Sequence, residues 1–212
     1  MSKNKSIPLL ILGCQRSGTT LLAAMLGGHS EINMLFESKT KDVLSLIGKK
    51  YSGNKLLTWR QIRMTQRSSR LGHVYNRLVN QDFGSKRKPH VFRPYPNGCM
   101  SIQDYIDAGA KIICLYRNKD EVLKSIINRT RMSPDQASLE YDRAVNEMKK
   151  VESQSINLDF DDLVQHPAEI LTRICKKLDL DFEPRMLKGP EYNFVYPQKS
   201  VNAERANATS SI

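Results

Sequence analysis

Near the start of this 212-residue chain, two glycines four residues apart frame Gly13-Cys14-Gln15-Arg16-Ser17-Gly18-Thr19-Thr20. An apolar run, Ile7 to Leu12, leads in, and a pattern of helical spacing, Thr19 to Leu26, leads out. A turn from strand to helix aims successive main-chain N–H groups and the positive end of the helix dipole at one anion. Glycine at both ends lets the backbone close around a phosphate with no Cβ in the way. Ser17, Gly18, Thr19 and Thr20 are therefore candidate phosphate-binding residues, and Arg16 is the cation of the loop.

The loop departs from the nucleoside triphosphatase form GxxxxGK[ST], in which a lysine after the second glycine holds the β and γ phosphates. Thr19 occupies that position, and Arg16 lies two residues before Gly18. This argues against a Mg²⁺-dependent triphosphate site. An arginine inside the loop suits a ligand with one phosphate and one further leaving bond, whose bridging oxygen or terminal group it can reach.

Such a loop needs a sheet behind it. Three times a short apolar run meets a polar turn and then an amphipathic helix: Ile7 to Leu12 with Thr19 to Leu26, Lys111 to Tyr116 with Asp120 to Asn128, and Ser155 to Phe160 with Ala168 to Leu178. That repetition predicts an α/β protein, three layers with a central parallel sheet between helices. Met34-Leu35-Phe36 reads as a further short strand. A long helix is expected from Pro134 to about Lys150, with Ser133 as its N-cap. Residues 1–200 read as one domain, with a tail at 201–212 expected to be disordered. Between Lys39 and Lys88, patches of helical spacing are interrupted by Ser52-Gly53-Asn54 and Gly84-Ser85, which predicts a helical insertion.

Composition narrows the class further. The four cysteines, Cys14, Cys99, Cys114 and Cys175, form no CxxC pair, and the four histidines show no metal-ligand spacing, so no metal is expected. Scattered thiols and the absence of a signal-like or membrane-length apolar segment predict a cytoplasmic protein. The net charge of +11 is concentrated: Glu37 to Arg93 hold 14 Lys or Arg against three acids, which leaves the rest neutral. A surface of that kind attracts an anionic ligand or polymer.

Gly13 to Thr20, continued by Leu21-Leu22, resembles the 5′-phosphosulfate-binding motif of sulfotransferases that use 3′-phosphoadenosine-5′-phosphosulfate (PAPS), where a Lys or Arg stands at the place of Arg16. A second segment resembles the family's 3′-phosphate site: Leu115-Tyr116-Arg117-Asn118, with Ser125 eight residues after Arg117 and Lys119 where the family has proline. Arg117 at a strand end and Ser125 two turns into the next helix can converge on one anion. Phe160-Asp161-Asp162-Leu163, with Pro167 behind it, resembles the family's Tyr-Glu-Asp-Leu segment, which implies an adenine contact for Phe160. Lys188-Gly189 resembles a basic-glycine element at the 3′-phosphate.

The resemblance implies PAPS as co-substrate and adenosine 3′,5′-bisphosphate as product. It also implies a base for the acceptor hydroxyl or amine and cations on the sulfuryl group. Gly28 to Glu37 resembles the segment of protein-tyrosine and heparan-type sulfotransferases in which a glutamate after the second strand acts as base, which implies that role for Glu37, after the expected strand Met34 to Phe36. His90, in Lys88-Pro89-His90, is the competing base by its likeness to the Lys-Thr-His of cytosolic sulfotransferases, and Arg93 is a second sulfuryl cation. The basic stretch points to an anionic acceptor, such as an acidic saccharide or peptide.

Two other functions fit parts of the pattern. A P-loop kinase for a small molecule suits the glycine spacing but lacks the lysine, and Leu158-Asp159 is the nearest approach to a metal-binding strand end. A nucleic-acid-binding protein suits the pI of 9.6 and Lys86-Arg87-Lys88. No aromatics interleave that charge, so nucleic acid is not the expected partner.

Overall fold

Pro8 to Gly13 are buried without interruption in the first strand, β1 (Ile7–Gly13), as a strand covered on both faces requires. The structure is a computed structural model. It describes residues 5–38, 43, 47–58, 102–130 and 132–192, with the main chain alone at 104, 190 and 192. The strands β2 (Ile32–Phe36), β3 (Tyr51–Leu57), β4 (Lys111–Tyr116) and β5 (Ser155–Asp159) join β1 in one sheet of order β2-β3-β1-β4-β5. Every neighbouring pair is parallel.

Helices cover both faces. On one lie α1 (Thr19–Gly27) and a late helix, Pro167–Lys177, whose Leu22, Leu26, Leu171 and Ile174 pack on Leu9, Ile11, Ile113 and Leu115. On the other, α2 (Ile102–Asp107) packs Ile102 and Tyr105 on Leu10, Leu12, Leu56, Ile112 and Cys114. Two more helices, α3 (Lys119–Thr130) and α4 (Pro134–Lys149), enclose Cys14 with Val122, Ile126, Ala137 and Ala144. The α4 start is as expected: Ser133 and Gln136 form a reciprocal capping box, with proline in the first turn. Among the described residues, no helix is long and apolar enough to cross a membrane.

Two local expectations need correction. Ser52-Gly53-Asn54, expected to break a helical insertion, is the middle of β3. Its turn-forming residues are accommodated because each has a tertiary partner. Ser52 Oγ donates to the Val43 carbonyl, and Asn54 is hydrogen-bonded while fully buried. A Cβ on Gly53 would meet Met34 Sδ at 2.1 Å, so glycine lets β2 and β3 close up. The polar turn expected between Phe160 and Ala168 is a helix, α5 (Phe160–Gln165), followed by α6 (Pro167–Lys177). The Asp159 side chain caps α5, and Asp161 and Asp162 lie in its first turn, where the dipole favours negative charge. Most of residues 39–88, and the tail at 201–212, lie outside the described residues.

Candidate active site

Because all five strands are parallel, their C-terminal ends share one edge. Gly13, Phe36, Leu57, Tyr116 and Asp159 end the strands there. The chain leaves β1 toward β2 but leaves β4 toward β5, so the connections diverge between the adjacent strands β1 and β4. Open α/β sheets bind ligands in such a crevice.

The loop from Cys14 to Gly18 lines that crevice. Gly18 takes a left-handed backbone, φ +91°, and Arg16 does so at φ +69°. Ser17 donates both its N–H and its Oγ to the Cys14 carbonyl. Thr58, just beyond β3, accepts from the Gly13 amide at 3.1 Å and donates its own amide to the Gly13 carbonyl at 3.0 Å. The glycines also admit close packing: a Cβ would meet Thr19 Cγ2 at 2.4 Å on Gly13, and the Phe160 ring at 2.2 Å on Gly18. Thr19 is buried, Thr20 is half-buried, and no side chain caps the start of α1. An uncapped helix N-terminus leaves amides that an anion can satisfy.

Opposite the loop, Arg117 follows β4 and Ser125 lies within α3. Arg16 Nε donates to Ser125 Oγ at 2.9 Å, and Arg117 Nη1 donates to the Arg16 carbonyl at 3.1 Å. The residues expected at the two phosphate ends of one ligand are thus in direct contact. The Arg117 guanidinium stacks on Phe160, 4.5 Å from its ring centroid, and lies 3.6 Å from Glu121. Tyr141 donates to the Arg117 carbonyl at 2.9 Å, and burial pushes its phenol pKa upward, which keeps it a donor. Phe160 is 3% exposed, its ring held between Gly18 and Arg117. Lys188 is exposed, and its neighbour Gly189 packs on the backbone of Ala24 and Met25 in α1.

A second group sits at the ends of β2 and β3. Glu37 follows β2 with φ +52°, a conformation costing a non-glycine residue about 1–2 kcal/mol. Its amide donates to the Lys55 carbonyl at 2.9 Å, and its Oε1 accepts from Lys55 Nζ at 2.5 Å. The Lys55 side chain is 4% exposed and that of Glu37 32%, so the lysine is buried with its carboxylate at the mouth. A buried ammonium needs such a partner.

Residues 8–92 and 108–184 match the model of the sulfotransferase family. The chain belongs to the sulfotransferase family. Among solved structures it is similar to the sulfotransferase domain from the curacin biosynthetic pathway, with a TM-score of 0.56, 16% identity, and 89% of this chain and 78% of that one covered. It is also similar to mouse sulfotransferase SULT7A1 complexed with PAP, with a TM-score of 0.53, 14% identity, and coverage of 90% and 65%. At these identities the likeness is one of fold. No curated protein sequence gives a significant match.

Within this family member, Lys55 is a residue of the candidate site that sequence reasoning passed over. A lysine beside Ser-Gly-Asn reads as part of a surface turn. Its signal was the pair Leu56-Leu57 directly behind it, and only the parallel register, Phe36 opposite Lys55, brings it to Glu37. His90 and Arg93 lie outside the described residues.

Proposed function

We propose that this sulfotransferase moves the sulfuryl group of PAPS to a hydroxyl or amine and releases adenosine 3′,5′-bisphosphate. The observation that carries the reading is the meeting of Arg16 with Ser125 and Arg117 across the β1–β4 crevice. Two arginines and an uncapped helix N-terminus in one crevice suit a ligand with two separated phosphates. The loop amides, Ser17, Thr19 and Thr20 take the 5′-phosphate, and Arg117 and Ser125 take the 3′-phosphate. Arg16 exchanges the Ser125 hydroxyl for the bridging oxygen and neutralises charge on the departing phosphate. Phe160 stacks beneath Arg117, and Lys188 is left to approach the ligand from the surface.

Glu37 takes the acceptor proton while the acceptor oxygen or nitrogen attacks sulfur. The S–O bond to the 5′-phosphate breaks, and its electron pair leaves with the phosphate. Lys55 holds the carboxylate through its ammonium and places a cation beside the sulfuryl oxygens. His90 and Arg93 stand as the alternative base and a further sulfuryl cation. The basic stretch from Glu37 to Arg93 supports an anionic acceptor.

A thermal-shift comparison tests the donor assignment. Adenosine 3′,5′-bisphosphate without Mg²⁺ should raise the melting temperature by several degrees at about 100 times its Kd. ATP with Mg²⁺ and a single-stranded oligonucleotide should do much less. Stabilisation by ATP with Mg²⁺ alone would replace the reading with a kinase.

A further inference from the structure

We infer that Asn54 is a positioning residue for the base; this rests on the reading of Glu37 given above. Asn54 and Lys55 are neighbours in β3, and their side chains leave opposite faces of the sheet. Both hold the turn that carries Glu37. Lys55 takes the Glu37 amide with its carbonyl and the carboxylate with its ammonium. From the other face, Asn54 Oδ1 accepts from the Ser38 amide at 3.2 Å, and Nδ2 donates to the Ser38 carbonyl at 3.0 Å. Nδ2 also donates to Tyr105 Oη at 3.2 Å.

A primary amide that engages both main-chain groups of one residue does what a neighbouring strand would do. Here it does so where β2 has ended. With its amide on β3 and the next residue on Asn54, Glu37 is clamped on both sides, and its left-handed φ follows. That backbone sends the carboxylate to the face where Lys55 ends. Asparagine suits the position because it is fully buried and must offer one acceptor and two donors. Aspartate has no donor, and an apolar residue leaves the Ser38 groups to find water. Released from Asn54, Glu37 relaxes toward the right-handed backbone and its carboxylate swings off Lys55.

The test measures adenosine 3′,5′-bisphosphate release from PAPS, with a desulfated acidic oligosaccharide as acceptor and with water when it is omitted. Asn54→Ala should lower kcat about 10- to 100-fold, as a displacement near 1 Å does, while the Kd for adenosine 3′,5′-bisphosphate stays within about twofold. In a Glu37→Gln background the same change should cost no further kcat, since Asn54 acts only through Glu37. Asn54→Leu, which keeps the volume but offers neither acceptor nor donor to Ser38, should lose kcat in the same way and covers the case in which Asn54→Ala does not fold. A kcat near that of the parent chain in both variants, with Glu37→Gln reduced to a low residual rate, overturns the role of Asn54 alone. An equal proportional loss with and without Glu37 overturns it as well. Normal release by Glu37→Gln overturns the base assignment and the inference together.

Discussion

The crevice between β1 and β4 and the group at the ends of β2 and β3 use different physics to place charge. The first is built largely from backbone: left-handed φ at Arg16 and Gly18, an uncapped helix start, and glycines where Phe160 and Thr19 come close. Its side chains, Arg16, Arg117 and Ser125, bond to one another. The second is built from side chains on adjacent strands, a buried lysine and a half-buried glutamate, with the turn between them held by an asparagine. A backbone cradle suits the anion proposed for the first region, because its amides depend on no one side chain. An ion pair suits the base proposed for the second, because its carboxylate keeps one side open at the mouth.

The largest effect should come from breaking the first region sterically. Gly18→Ala puts a Cβ into the Phe160 ring on a backbone that L-residues avoid. Stabilisation by adenosine 3′,5′-bisphosphate should vanish in thermal shift, and kcat/KM should fall at least about 10³-fold. Intact binding in that variant would mean the loop does not hold the ligand.

The second region should separate stability from activity. Glu37→Gln leaves the Lys55 ammonium buried beside a neutral amide, and the unfolding free energy in urea should fall by about 1–3 kcal/mol, less than for a fully buried pair because Glu37 is partly exposed. Adding Lys55→Met should restore that stability, since an apolar chain of similar length fills the same space. Sulfuryl transfer should stay at the low residual rate of Glu37→Gln in both. A double variant as unstable as the single one would show that the ion pair carries little.

The smallest effect calibrates both regions from outside. Glu183 accepts hydrogen bonds from the Ser30 hydroxyl and amide and from Arg185 Nε. The Ser30 hydroxyl above all holds its pKa down at about 2, below the ordinary 4.5. The unfolded chain takes up this proton near pH 4.5 and the folded chain only near 2. The contribution is therefore complete above about pH 4.5 and is lost as pH falls toward 2. Glu183→Gln should flatten the melting temperature over that window and leave donor binding untouched. A change in donor affinity would tie the C-terminal segment to the crevice.

What could be read without the fold was what local rules govern. The loop from Gly13 to Thr20, the helix behind it, and the Ser133 cap announce themselves within a few residues, because turns, dipoles and caps act over that distance. The strands β1 and β4 are legible as apolar runs for the same reason. The strand β3 was not, since Ser52-Gly53-Asn54 favours a turn until β1 and β2 bury it. Phe160 was found, but its place between Gly18 and Arg117 was not.

The amino-acid sequence by itself determined the glycine loop with its arginine and the α/β alternation. Tertiary structure alone decided that Arg16 meets Ser125 across 109 residues of chain, that Glu37 meets Lys55 across a parallel register, and that Ser38 meets Asn54. The reason is range: a loop is shaped by bonds within itself, whereas the environment of a buried charge is set by whichever strands come to lie beside it.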